Sequence, residues 1–303
     1  MTRASLERWM SRLNDTTTST LELDLGSMLS QSFPAEYPIA AATTATVLAR
    51  LGAADLAPLA RHSPSLAGYD WANYLRCSLC RVVRVQKAIA AAVPAGGRVL
   101  DYGSYFGNFG LAVNAMGYRV EAVDSYQQYG DALAPWLALQ REAGIVAHDF
   151  ADTGYDLSSL GARSYDAIIC AGVIEHIPHT PRRLLETLTS MLKPSGVLVL
   201  DTPNLGYLYK RLALLDGQSI FAPISQQYFT EVPFEGHHRE YTVAELEWLL
   251  KAVGHEIVSM ETFNYSVFGQ SRLEGEHLAY YLEMEADPSL RELIVSVSRR
   301  PAA

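Results

Sequence analysis

The stretch "VLDYGSYFGNFG" spans residues 99–110. Val99 and Leu100, an acid at Asp101, and glycines at 103, 107 and 110 read as a buried strand that breaks into a tight turn and opens a helix. A backbone can come close to a bound nucleoside only where side chains are absent, which makes Gly103 and Gly107 informative. Dinucleotide-binding turns are spaced G-x-G-x-x-G, and the helix start faces a pyrophosphate. Here the spacing is G-x-x-x-G-x-x-G, with Tyr105 where the middle glycine is usual. Asp101 stands just before the first glycine. A carboxylate there repels a pyrophosphate and suits a ligand that carries positive charge.

The residues that follow strengthen a nucleoside reading. "YRVEAVD" (118–124) is a second strand ending in Asp124, roughly 20 residues past the turn, where a carboxylate can accept both hydroxyls of a ribose. "GIVAHDF" (144–150) is a third, ending in Asp149, able to bond an adenine amino group, and Phe150, able to stack on the ring. A strand at 165–172 and a buried one at 196–203 continue the series, with helices expected at 109–116, around Pro135 and at 181–193. The helix at 181–193 has Thr180 as N-cap and Pro181 at its first position, and Pro194-Ser195-Gly196 stop it. Repeated strand–helix units imply a parallel sheet covered on both faces.

The two ends of the chain differ from this middle. Residues 1–35 are polar, with 14–20 ("NDTTTST") reading as loop, and 38–93 read as helices without period-two alternation, a cap ahead of the main domain. Residues 204–240 form an aromatic-bearing insertion in which Tyr207, Tyr209, Phe221, Tyr228, Phe229 and Phe234 could build an apolar lid. A capping box, Thr242 with Glu245, then opens a helix that Gly254 ends. Two strands at 255–265 and 292–300 follow, with no helix expected between them, and could pair antiparallel.

Composition narrows the function classes. A chain of 303 residues, 49% hydrophobic and 19% charged, is expected to be soluble and globular. No segment has the length or apolarity of a membrane span, and the first 20 residues lack a signal-peptide core. A formal charge of −9 argues against nucleic acid as partner. Three cysteines cannot build a disulfide framework and suit a reducing cytoplasm. Cys77 and Cys80 form a C-x-x-C on what reads as one helix face; small buried helix residues are the preferred reading over a metal or redox pair.

"VLDYGSYFGNFG", "YRVEAVD", "AHDF", "YDAIICAGVIEHIPHTPRRLLETLTSMLKPSGVLVLDTPN" and "GHHREYTVAELEWLLKAVGHEI" together resemble the successive motifs of class I S-adenosylmethionine-dependent methyltransferases, in particular the branch with the ubiquinone-pathway O-methyltransferases. The resemblance runs from about residue 95 to 300. It implies an α/β, Rossmann-like fold with a mostly parallel seven-stranded sheet and an antiparallel last strand, to which 1–93 adds a helical cap. Residues 94–303 would then be the cofactor-binding domain with a 204–240 lid. It implies Asp101, Gly103, Tyr105 and Gly107 for the methionine end of the cofactor, Asp124 for ribose, Asp149 and Phe150 for adenine, and Ala171 beside them. Tyr105 departs from the family, so its ring lies over the ligand or reshapes the turn.

Methyl transfer from a sulfonium needs in-line positioning of the nucleophile, and a hydroxyl must also lose a proton. Ligands bind at the carboxyl ends of such strands, where "GVIEHIPH" offers Glu175, His176 and His179. "EGHHREY" offers His237, His238, Arg239 and Glu240. In related branches a similar segment reads E-x-x-E-H and, with a later histidine, holds a divalent metal. Glu175 and His176 match its last two ligands and His237 the later one, but Gly172 replaces the first glutamate. A metal is therefore not favoured, Glu175, His176 and His237 being the alternative ligand set; they are expected as catalytic residues or as loop supports. The reading is a cytoplasmic methyltransferase acting on oxygen of a small-molecule acceptor such as a natural product, sugar or phenol. The alternatives are C- or N-methylation, a cofactor-binding protein without transferase activity, and, most remote, a dehydrogenase. The oligomeric state is left open.

Overall fold

Val99 and Leu100 face opposite sides of one strand, and the layering of the molecule follows from that alternation. The computed structural model describes residues 19–61, 63–150, 157–178 and 180–302; His179 and 14–18 of the threonine-rich stretch lie outside them. Seven strands form one sheet: β2 (Arg98–Tyr102), β3 (Arg119–Asp124), β4 (Val146–Asp149), β5 (Tyr165–Ala171), β6 (Leu192–Pro203), β7 (Glu256–Phe263) and β9 (Leu293–Arg299). Their spatial order is β4-β3-β2-β5-β6-β9-β7, and only β9, the last in sequence, runs antiparallel to its neighbours. Val99, Ala167, Ile169, Val197 and Val199 enter the core on one face, and Leu100, Ile168, Cys170, Leu198 and Leu200 the core on the other.

The second face is covered by α7 (Arg182–Met191) and α10 (Val243–Ala252). Helix α7 buries Leu184, Leu185, Leu188 and Met191, four side chains worth about 2 kcal/mol each in transfer free energy before ordering costs. Helix α10 starts at the expected capping box, with Thr242 Oγ1 accepting from Glu245 N at 3.3 Å and Glu245 Oε2 accepting from Thr242 N at 2.9 Å. The first face is covered by α1 (Leu25–Ser32), α2 (Tyr37–Leu48), α4 (Leu79–Ala92), α5 (Asn108–Asn114) and α6 (Ala134–Glu142). Helices of the N-terminal part therefore share the main core with the sheet: Val82, Val83, Val85 and Ile89 of α4 are at most 1% exposed.

Four local expectations are corrected. The helix at 181–193 ends at Met191 with Pro181 itself as N-cap, and β6 begins at once with Leu192 paired to Tyr165. A register shift and Ser195 at φ +64° absorb the Pro194-Ser195-Gly196 stop inside that strand. A twelve-residue helix, α11 (Gly275–Ala286), lies between β7 and β9; it has no side-chain cap and starts on a glycine at φ +53°, so it lacks a sequence start signal. A short strand β1 (Thr20–Glu22) pairs with β8 (Arg272–Glu274) outside the main sheet. Cys77 and Cys80 fall on two helices, α3 (Trp71–Cys77) and α4, and both are buried, with burial pushing their thiols up to about 11 and about 12. They are inert core residues. Among the described residues no helix is long and apolar enough to cross a membrane.

Candidate active site

Strands β2 and β5 are neighbours whose connections leave in opposite directions, and the crevice at such a switch point opens at the strand carboxyl ends. A cleft of about 1650 Å³ lies there, lined by Gly103, Asp124, Ala171, Gly172, Asp201 and Pro203 at the strand ends and by residues of both chain extremes. Gly103 takes φ +76°, and a Cβ on it would come within 2.3 Å of Val173 Cγ2. Tyr105 lies in the left-handed region that favours glycine, at φ +48°. Its ring packs on Trp71, Phe106 and Tyr129 with centroids 5.8, 4.5 and 5.4 Å away. The turn is held in this conformation by a neighbouring carboxylate.

What holds it is Asp124. One carboxylate oxygen accepts from Tyr105 N and the other from Ser125 N, each at 2.7 Å, so each retains a lone pair for a ligand hydroxyl. Burial pushes the Asp124 carboxyl up to about 6 against the pull of those bonds. Asp101 lies beneath the turn: one oxygen accepts from Gly110 N at 2.8 Å, the other has no partner among the described residues, and burial pushes the group up to about 7. Gly107, at φ +72°, turns its missing side chain toward Gln140 rather than the cleft. Asp149 accepts from Gln127 N at 2.6 Å, and the Phe150 ring lines the cleft edge-on to Tyr102.

Glu175 and His176 sit on a single 3-10 turn, Ile174–His176, directly after β5. His237 arrives from the 204–240 insertion, docked by His238 N donating to Glu175 O at 2.8 Å. The imidazoles of His176 and His237 stand nearly perpendicular with centroids 4.8 Å apart. Each turns Nδ1 to an acceptor, Glu235 O at 2.6 Å and Glu240 Oε1 at 2.8 Å, which leaves Nε2 with the open lone pair. Desolvation of a side chain still 41% exposed, with the neighbouring His176, Lys210 and His238, holds His237 below its ordinary range and so neutral. Glu175 is 2% exposed and accepts from Thr202 Oγ1 at 3.0 Å. His238 and Arg239 turn away to Phe234 O and Glu245. Of the aromatic insertion, Tyr207, Phe221 and Phe234 line the cleft, Tyr209 packs on Tyr280, and Tyr228 and Phe229 are exposed.

Sequence reading missed Arg81 and Lys210. Arg81, on α4, makes a buried two-pronged pair with Asp201 at 2.9 and 2.6 Å. Its Nη2 lies 2.8 Å from where a Cβ on Gly172 would be. A guanidinium thus stands where the E-x-x-E-H pattern places a carboxylate. Donor atoms of Glu175, His176 and His237 lie within 4.8 Å of one another, but one buried carboxylate already bonded to Thr202, with a fixed cation opposite, does not fit a hard divalent ion. The signal for Arg81 was an arginine at a helical position whose neighbours in the pattern are apolar. For Lys210 there was none.

Residues 71–260 match the model of a methyltransferase domain. The chain belongs to that family and is a class I, S-adenosylmethionine-dependent methyltransferase. It is 28% identical over 211 residues to a ubiquinone biosynthesis O-methyltransferase of Xanthomonas axonopodis pv. citri, an alignment covering 65% of this chain and 81% of the relative. It is 31% identical over 127 residues to the protein of the same name from Xanthomonas campestris pv. campestris, covering 40% of this chain and 49% of that one. A solved structure assigned as a sarcosine dimethylglycine methyltransferase of Galdieria sulphuraria shares the fold at 12% identity and TM-score 0.51, over 80% of this chain and 98% of that one. The cleft residues fit the cofactor, with a bare turn at Gly103 and two available lone pairs on Asp124, while Asp101 lies buried beneath that turn and does not line the cleft.

Proposed function

We propose that the protein methylates a hydroxyl oxygen of a small-molecule acceptor, with His237 or His176 taking the hydroxyl proton. The observation that carries this is the pair of imidazoles, each anchored through Nδ1, lining the same cleft as Gly103 and Asp124. Bound S-adenosylmethionine supplies an activated methyl group. Asp124 holds the ribose, Asp149 and Phe150 the adenine, and Asp101, Gly103, Tyr105, Gly107 and Ala171 form or support the methionine end. The O-methyltransferase names of the relatives support oxygen as the acceptor atom. Ser63 to Leu66, Tyr69, Trp71 and Tyr74 of the 1–93 segment and Phe221 of the 204–240 segment line the cleft, which supports their role as cap and lid that exclude water. The net charge of −9 supports a small acceptor rather than nucleic acid, and three buried free cysteines support a cytoplasmic location.

Turnover measured as S-adenosylhomocysteine release over a panel of phenols, sugars and other hydroxyl acceptors tests the reading. Replacing the histidine that serves as base by alanine is expected to lower kcat about a hundredfold or more while cofactor affinity stays within twofold. Chelator is expected to leave turnover unchanged. Near-normal turnover in both His176→Ala and His237→Ala overturns the base role, and activity lost to chelator and restored by a divalent ion replaces it with a metal.

A further inference from the structure

Glu240 lies between a histidine and a lysine. Its Oε1 meets His237 Nδ1 at 2.8 Å, and its Oε2 forms an ion pair with Lys210 Nζ. The carboxylate side chain is 13% exposed, and all three residues line the cleft. A carboxylate accepts only, so the ring nitrogen against it must carry the proton. The geometry points to Glu240 as the positioning residue of the reaction, fixing His237 in the tautomer whose Nε2 can take a proton, with Lys210 fixing Glu240. This rests on the base role of His237 proposed above. The proton leaves the acceptor oxygen for Nε2, the Nδ1 proton stays in place, and the imidazolium charge is met by the carboxylate beside it. Sequence spacing alone does not show this, because Lys210 comes from α8 (Leu208–Leu215), thirty residues before Glu240.

Lys210 makes the proposal sharply testable. An ammonium donates only. In Glu240→Gln the amide oxygen must therefore face Lys210 and the amide NH2 must face Nδ1, which then has to accept, and the ring proton moves to Nε2. An isosteric change thus removes the base without removing the histidine. At neutral pH, nitrogen NMR of labelled imidazoles, assigned with His237→Ala, reads the tautomer directly. The expected results are Nδ1–H in the unaltered protein and Nε2–H in E240Q, with kcat down about a hundredfold and S-adenosylhomocysteine affinity within twofold. Adding Lys210→Met to E240Q frees the amide to turn, and should restore Nδ1–H and at least tenfold of the lost rate. An Nε2–H tautomer in the unaltered protein overturns the inference without any variant, and so does an unshifted tautomer in folded E240Q. A shifted tautomer with undiminished turnover upholds the positioning of His237 and removes it as the base.

Discussion

Replacing Asp124 by alanine separates two things one carboxylate does. Both of its oxygens are half-occupied by backbone donors, Tyr105 N and Ser125 N, and each has one lone pair left for a ribose hydroxyl. Hydrogen bonds to a charged acceptor contribute about 1.5–3 kcal/mol each, less when water takes the partner's place, so losing two should weaken cofactor binding by about 2–4 kcal/mol. That is roughly 30- to 800-fold in Kd. The same change leaves two backbone N–H groups unpaired beside a residue at φ +48°, so the free protein should also lose about 2 kcal/mol of stability or more. Calorimetric titration with S-adenosylhomocysteine, alongside urea denaturation of the free protein, reads the two effects independently. A folded variant that binds within threefold of the unaltered protein would show that Asp124 does not hold the ribose. Loss of stability with unchanged affinity would make it a support of the glycine turn alone.

Tyr105→Gly restores the usual turn, removing about 1 kcal/mol of left-handed strain, but strips a ring packed on Trp71, Phe106 and Tyr129, worth about 3–5 kcal/mol. The variant should therefore be less stable by about 2–4 kcal/mol in urea denaturation, and a more stable one would refute the packing account. S-adenosylhomocysteine affinity should fall about tenfold between pH 7.5 and pH 5, as Asp124 protonates near 6 and loses an acceptor. Asp124→Asn should lack most of that dependence. In the free protein the sign reverses: a carboxyl whose folded pKa is raised contributes stability at low pH that is lost as pH rises through about 6, so thermal stability without ligand should fall over that range.

The sequence by itself determined the strand–helix series of the sheet and picked out Gly103 and Asp124, which the fold brings to one cleft. The apolar pair Val99-Leu100 marked a buried strand, and glycine, which alone adopts positive φ at little cost, marked the turn at Gly103. Asp124 was found by its distance along one strand–turn–helix–strand unit, and α10 by a capping box complete within four residues. All of these are short-range patterns, set by periodicity and local backbone preference. The helix α11 escaped because its start has no cap and its burial depends on residues far along the chain. The tertiary structure alone decided which charged groups meet around Gly172 and His237. Arg81 reaches Asp201 across 120 positions of sequence to stand against Gly172, and Lys210 meets Glu240 across thirty. A charge beside a candidate metal site, or a hydrogen bond to one ring nitrogen, acts over a few ångströms of space. Only the packing of helix against sheet brings such groups that close.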